Sequence, residues 1–478
     1  MKRVIFIVYS AICCLSVGSL ISCGQTTVTE ERPRIIVTSD GEIDDECSMV
    51  RFLLYTNDWD VEAIITSSSQ YHWHGHGWAG DNWIQPYFDA YEQVYPNLLK
   101  HDRRYPSPDY LRSHYYLGNV EAEGEMEQIT PGSQRIVEVL LDESDPRPVW
   151  LQAWGGPNTI ARALKTIEEE HPEKMAYVAS KCRFFFIWEQ DDTYQKYIRP
   201  SWEKYHILTI ISDQFEAIAY RWRRLLPREV HPYFEADWTQ ENLVKDHGPL
   251  LALYKARDNG EFRSEGDSPS YMHEIVTGLR NLDHPDWGGW GGRYVNKRAN
   301  VWFDKVTGED YVFPEGRYYA SNGRSVFLRS HNPEEREAYI RPIAMWAPAF
   351  QNDFAARADW CVKSYKEANH QPVVRVKVTG GSQEGNHKLD IRGKAGEILR
   401  FDAGASKDPD GDKLSFRWFQ YRDACTYEGE VPIETEGAKA SLVVPADGQP
   451  GATIHVICEV TDNGTPALTR YQRIVITL

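Results

Sequence analysis

"RIIVTSDGEIDDECSMVRFLLYT", Arg34 to Thr56, joins a short apolar run to a helix-like stretch through five carboxylates crowded into seven residues. Ile35 to Val37 are apolar without alternation, as expected of a strand covered on both faces. From Cys47 the apolar residues follow a helical spacing. Between them stand Asp40, Glu42, Asp44, Asp45 and Glu46. Like charges this close repel one another. Two readings account for them: a solvated acidic N-terminus, since carboxylates favour that end of a helix, or oxygen ligands gathered for a cation.

The same alternation continues outward from this stretch. "VEAIITSSS", "SQRIVEVLLDE", "PVWLQAW" and "NTIARALKTIEEEH" extend the pattern of apolar strand and amphipathic helix to about Tyr220. This predicts a doubly wound α/β domain with a mainly parallel sheet, over residues 34–365. Ligands in such sheets bind beyond the carboxyl ends of the strands, and Asp40 follows the first strand at that edge. After Cys361 the character changes. "KEANHQPVVRV" makes a polar, proline-marked junction, and short alternating runs such as "KLSFRWFQY" and "TIHVICEVTD" predict an all-β, immunoglobulin-like sandwich over residues 372–478. Its acidic turn in "SKDPDGDKLSFRW" reads as a tight Asp/Gly turn, with calcium binding as the alternative.

The chain has 478 residues and a formal net charge of −17, which argues against a nucleic acid partner, because no basic stripe offsets the repulsion from phosphates. Its 16 Trp and 27 Tyr suit the apolar faces of sugar rings, although most such residues in any protein are core. "MKRVIFIVYSAICCLSVGSLISCGQ" has a basic start, an apolar stretch too short for a membrane span and small residues before Cys23. Residues 1–22 are therefore expected to be a signal peptide. "LISC" resembles a bacterial lipobox, with Cys23 as the lipidated N-terminus and residues 23–33 as a polar tether. The expectation is an exported bacterial lipoprotein, held by its lipid at the outer membrane, cell surface or periplasm; an ordinary secretory peptide is the alternative. Of the remaining cysteines no two form a CxxC pair, which argues against a zinc site or a disulfide scaffold; Cys425 and Cys458 are the one candidate pair.

"TSDGEIDD", Thr38 to Asp45, resembles the D-x-D-P-G-x-D-D signature of the nucleoside hydrolases, with Asp40, Asp44 and Asp45 on its last three aspartates. Thr38 stands at the first Asp, and Gly41 and Glu42 replace Pro-Gly. "QAWGGPNTIARAL", Gln152 to Leu164, is similar to that family's strand, Gly-Gly and helix, in which the residue before the glycines offers its carbonyl to the metal; here it is Trp154. "EGDSPS" puts Asp267 at the late aspartate, with Gly266 where a His is usual. "EGDSPSYMHEIVTGLRNLDHPDWGGWGGRY", "FQNDFAARADWCV" and "LTRYQRIVITL" resemble a narrower group of exported bacterial proteins, a nucleoside-hydrolase-like domain followed by an immunoglobulin-like one, some described as cellulose-binding.

The resemblance implies a calcium ion held by Asp40, a bidentate Asp45, the Trp154 carbonyl and Asp267, leaving positions for water and sugar hydroxyls. Asp40 would act as general base on a water attacking an anomeric carbon, and Asp44 would orient hydroxyls or the ligand shell. Substrate-binding candidates come from three loops. "SSSQYHWHGHGWAGDNW", Ser67 to Trp83, carries His72, His74, His76 and Trp78; alternating His puts three imidazoles on one face, for sugar hydroxyls, loop backbone or a transition metal. "IWEQDDTYQKYIRP" supplies Glu189, Gln190, Asp191 and Asp192 where the family has a sugar-binding element, with helix capping as the alternative. "HPDWGGWGGRY" supplies Trp287, Trp290 and Arg293 on a glycine-rich loop. Three functions remain open: a calcium-dependent glycoside hydrolase acting on a glycan or glycoconjugate, with Glu42, Glu189 or Glu265 as general acid; a nucleoside N-ribohydrolase; and a non-catalytic carbohydrate-binding protein.

Overall fold

The computed structural model describes residues 32–304 and 333–478. The expected signal peptide, Cys23 and nearly all of the tether lie outside them. Eight strands form the first sheet: β1 (Arg34–Ser39), β2 (Asp60–Thr66), β3 (Tyr115–Leu117), β4 (Val149–Ala153), β5 (Cys182–Ile187), β6 (Leu208–Ser212), β7 (Tyr294–Arg298) and β8 (Val301–Asp304). Their order is β3-β2-β1-β4-β5-β6-β8-β7, and every pairing is parallel except β7 with β8. β1 lies between β2 and β4, so the order reverses there. A crevice opens beyond the carboxyl ends of adjacent strands at such a reversal. Asp40 and Trp154, the residues that follow β1 and β4, stand at its two sides.

The apolar run of β1 is continuous because both faces are covered. Ile35 and Val37 enter one core with Phe52, Trp59 and Trp154, whereas Ile36 enters the other with Leu151, Phe184 and Leu164. β5 repeats the division, Phe185 and Ile187 on one side and Phe184 and Phe186 on the other. The helix Ile43–Leu54 packs Phe52 at 5.3 Å from Trp59 and edge-on to Trp154, which fixes how its first turn meets the crevice. Burying one such Phe contributes about 1.5–3 kcal/mol. Its Arg51 is fully buried, pairs with Glu265 at 2.5 Å and covers the Phe354 ring.

The C-terminal region is a sandwich of two sheets. β9 (Lys377–Thr379), β12 (Ile398–Asp402), β14 (Glu434–Glu436) and β15 (Lys439–Val443) form one sheet. The other contains β10 (Ser382–Gln383), β11 (Asp390–Arg392), β13 (Ser415–Gln420), β16 (Thr453–Thr461) and β17 (Thr469–Thr477). All pairings are antiparallel except β11 with β17. Trp418 is core, stacked on Phe401. Cys425 and Cys458 are unpaired; Cys425 Sγ instead accepts from the His455 amide. Among the described residues, no helix is long and apolar enough to cross a membrane.

The sandwich is fused to the α/β region through a shared core. Tyr421, Ile457 and Tyr471 pack into the same apolar cluster as Trp290, Trp346 and Phe350. Backbone bonds run from Tyr471 N to Thr277 O and from Arg473 N to Gly278 O. The fully buried Arg473 donates to the carbonyls of Leu279, Trp287 and Gly288 at 2.6–3.0 Å. Desolvation is the main reason its guanidinium is pushed down to about 10. Arg473→Ala leaves three buried acceptors without a donor, so a loss of about 3 kcal/mol or more is expected. It should appear as a lowered melting temperature of the whole chain; an unchanged one would show that the seam contributes nothing.

Candidate active site

The loop after β1 and the first turn of the following helix deliver Asp40, Asp44 and Asp45 to the crevice, and Asp267 arrives from the N-terminus of the short helix Ser268–Met272. One carboxylate oxygen each from Asp44, Asp45 and Asp267 lie within 4.8 Å of one another, so Asp44, expected to orient hydroxyls or the ligand shell, stands in the ligand group in place of Asp40, which groups instead with Glu42 and His72. Asp45 accepts from Ser39 Oγ at 2.5 Å and Asp44 from Tyr220 Oη at 3.2 Å. Asp267 Oδ2 and both oxygens of Asp40 are buried without a hydrogen-bond donor among the described residues. No Lys or Arg forms an ion pair with any of the four among those residues. Buried polar atoms are rarely left this way, and an anionic group so placed costs more than a neutral one.

Glycines make the convergence sterically feasible. A Cβ on Gly266 would lie 2.6 Å from Asp44 Oδ2, and one on Gly155 would lie 2.9 Å from Asp40 Cβ. Gly266, where the sequence pattern leads one to expect His, is therefore the gap that Asp44 enters. Burial, then Asp267 and Asp40, raise Asp45 well above its ordinary value; burial, then Asp44 and Asp40, do the same to Asp267. Asp44 is pushed up to about 6 by burial and by Asp40. Burial is the largest influence on Asp40 and acts in the same direction, but His72, together with smaller contributions from Ser69 and Asp45, holds Asp40 below the usual range. Three carboxylates strained against ionisation, with orphaned oxygens, fit a hard divalent cation.

Glu42 and His72 form a second group with Asp40, again with one candidate ligand atom each within 4.8 Å. Glu42 precedes the helix but caps it with no side-chain hydrogen bond. Burial, Asp44 and Asp40 push it up to about 9.

A cavity of about 190 Å³ opens over the acidic cage, with Asp40 and His72 behind its lining. Its acidic floor holds Glu42, Asp44, Asp45 and Asp267, and its walls include Tyr71, Trp188, Phe215 and Tyr220. Trp188 is the residue just past β5, held at φ 62°, with its indole donating to Asp213 at 2.8 Å and meeting Phe215 edge-on at 4.7 Å. A positive φ at a bulky side chain is a strained conformation of the kind that gathers at binding sites. Tyr71, Trp188, Phe215, Glu216 and Tyr220 were not singled out by the sequence motifs. The signal for Trp188 and Phe215 was their place just after β5 and β6, at the sheet's ligand-binding edge.

The other expected site residues divide. Gln190 lines the cavity and donates to the Trp154 carbonyl, so one lone pair of that expected ligand is engaged. Glu189 and Asp191 are buried and turned elsewhere: Glu189 accepts from Gln195 at 2.9 Å, and Asp191 from Asn158 N and Thr193. Asp191 Oδ2 lies where a Cβ of Gly156 would be, bracing the Gly-Gly turn. Asp192 pairs with Lys196 at the surface. The three imidazoles do not share a face, because a tight turn bridges Trp73 to His76. His72 turns to Asp40, His74 to Asp81 and Glu121, and His76 stacks on Trp73. Trp78 donates to Asp81 and does not line the cavity.

Trp287, Trp290 and Arg293 also fall outside the cavity, contrary to the expectation of a substrate loop. Their glycine-rich turn packs against the sandwich: Trp287 meets His455 edge-on, Trp290 lies under Arg470, and Gly288 makes room for Tyr421. The glycines admit protein, not ligand. Of the general-acid candidates, Glu265 is sealed in its pair with Arg51 and only Glu42 faces the cavity.

Residues 34–294 match the family model described as cellulose-binding Sde182, nucleoside hydrolase-like domain. The chain belongs to this family. Residues 398–478 match the model for the C-terminal domain of cellulose-binding protein Sde0182. A nucleoside hydrolase-related hypothetical protein from Saccharophagus degradans, described as associated with carbohydrate metabolism, is 28% identical, with 93% of this chain and 99% of that one covered at a TM-score of 0.73. An inosine-uridine preferring nucleoside hydrolase from Bacillus anthracis is 12% identical over 65% of this chain and 99% of its own, at a TM-score of 0.29. No curated protein matches the chain. The Sde182-type architecture, a nucleoside-hydrolase-like sheet followed by an all-β domain, is thus shared over nearly the whole described length.

A pH experiment tests the acidic cage. Asp44, Asp45 and Asp267 have folded values above their unfolded ones, so their contribution is present at low pH and lost as pH rises through the folded values. With chelator, the melting temperature should fall between about pH 4 and pH 7. Calcium should raise it more at pH 7 than at pH 4. An equal calcium effect at both pH values, or none, would contradict the cage.

Proposed function

We propose that this protein is a calcium-dependent glycoside hydrolase that attacks an anomeric carbon of a glycan or glycoconjugate. The observation that carries the reading is the meeting of Asp44 and Asp45 with Asp267, more than two hundred residues away in the chain, beside an Asp40 whose two buried oxygens have no hydrogen-bond donor among the described residues. Asp44, Asp45 and Asp267 would hold the ion, with the Trp154 carbonyl at the edge of the cage. When bound, calcium supplies the positive charge the cage lacks and acidifies nearby water.

The remaining chemistry belongs to the chain. Asp40, kept ionised by His72, is the proton acceptor for a water approaching the sugar. Trp188, Phe215 and Tyr71 offer apolar faces to a sugar ring, and Gln190 and Glu216 offer polar atoms to its hydroxyls. Enclosure by these rings limits bulk water around a carbon of oxocarbenium character. The match to family models described as cellulose-binding supports a carbohydrate over a nucleoside, and also supports a second reading in which the site binds sugar without turnover. Export and lipidation at Cys23 belong to this proposal, since a tethered protein would meet polymeric sugar outside the cell.

Asp40→Asn separates the two readings. On a panel of glycans and nucleosides the wild type should turn over a glycoside in calcium but not in chelator. Asp40→Asn should lower kcat by about 10²–10⁴ while leaving calcium-dependent melting in place. Asp267→Ala should abolish the calcium effect on melting. Wild-type sugar binding without turnover, unaffected by Asp40→Asn, would establish the binding reading.

A further inference from the structure

We propose that Asp40, Glu42 and His72 form a second cation site, of transition-metal type, beside the all-oxygen cage. His72 Nδ1 lies 3.7 Å from Asp40 Oδ2 and 3.8 Å from Glu42 Oε2. Both separations exceed a hydrogen bond. Ligands about 2.1 Å from a tetrahedral ion stand roughly 3.4 Å from one another, a few tenths of an ångström less than the two His72 separations, and the three donor atoms all lie within 4.8 Å of one another. His72 Nδ1 and both Asp40 oxygens are buried atoms with no hydrogen-bond partner among the described residues, and Asp40 is 1% exposed.

The donor set sorts the two groups by chemistry. Asp44, Asp45 and Asp267 offer oxygen alone, which suits calcium or magnesium. Adding an imidazole nitrogen to two carboxylates suits zinc or manganese, and two carboxylates with a neutral imidazole balance a divalent charge. The site is open enough to load, since the His72 side chain is 19% exposed and Glu42 is 31% exposed. Glu42 is a departure of this chain from the nucleoside hydrolase pattern, where it replaces part of Pro-Gly. The inference goes beyond the calcium reading and does not need it.

The test uses the full chain stripped with chelator, then titrated with zinc or calcium, with bound metal and melting temperature as readouts. Zinc should bind and raise the melting temperature of the wild type. His72→Ala and Glu42→Gln should each weaken zinc binding at least tenfold and leave the response to calcium intact. Asp267→Ala should do the reverse. The exposed His74 and His76 are the obvious adventitious ligands, so the double variant His74→Ala/His76→Ala must retain zinc. Cobalt in place of zinc should give a visible absorption band that His72→Ala removes, independent of any change in stability. Absence of zinc binding, its persistence in His72→Ala, or its loss in the double variant would overturn the proposal. A failure of calcium to bind, with His72-dependent zinc binding intact, would overturn the calcium reading alone.

Discussion

Mutual repulsion among buried carboxylates is the constraint around which the crevice is built. Asp40, Asp44, Asp45 and Asp267 are all at most 9% exposed, and Arg51, the nearest buried cation on the same helix, is committed to Glu265. Among the described residues, His72 beside Asp40 and the hydroxyls of Ser39 and Tyr220 on Asp45 and Asp44 offset that repulsion only in part. The fold places the four at a helix N-terminus, where the backbone dipole favours negative charge, but that is worth at most about 2 kcal/mol. Glycines at 155 and 266 then remove the side chains that would keep the carboxylates apart. A cation between them is what the proposed function supplies to offset that repulsion.

The rest of the domain serves this placement. Phe52 wedged against Trp59 and Trp154 fixes the helix that presents Asp44 and Asp45. The Trp154 indole donates to Ser270 Oγ, which ties the β4 turn to the helix that begins after Asp267. The sandwich acts at a distance: it holds the 277–294 segment through Arg473 and the shared aromatic core, and that segment continues directly from the helix carrying Asp267. Trp418 of the sandwich is buried in its core and forms no exposed aromatic platform.

Much of this was legible in the sequence, for physical reasons that differ by element. The unbroken apolar runs of β1 and β5 announced a sheet covered on both sides, and the alternation after Val376 announced the sandwich. The acidic residues were found because local crowding of like charge is visible in one dimension. The cavity walls were less accessible: Trp188, Phe215 and Tyr220 look like any core aromatics until strand order puts them at one edge. The glycine-rich segment around Trp287 to Arg293 misled because close approach of backbone to ligand and of backbone to another domain leave the same glycines. The histidine loop misled because its period assumed an extended strand, whereas Gly75 and Gly77 turn the chain back at Trp73 and His76.

The central claim is that the acidic crevice exists to hold a cation, and a crystal structure of the chain grown in calcium, with data collected to reveal anomalous scattering, tests it directly. The account predicts an anomalous peak among Asp44, Asp45 and Asp267, with oxygens at about 2.3–2.6 Å from it. Ordered water hydrogen-bonded to protonated carboxyl groups in that position, with no anomalous signal at saturating calcium, would contradict it.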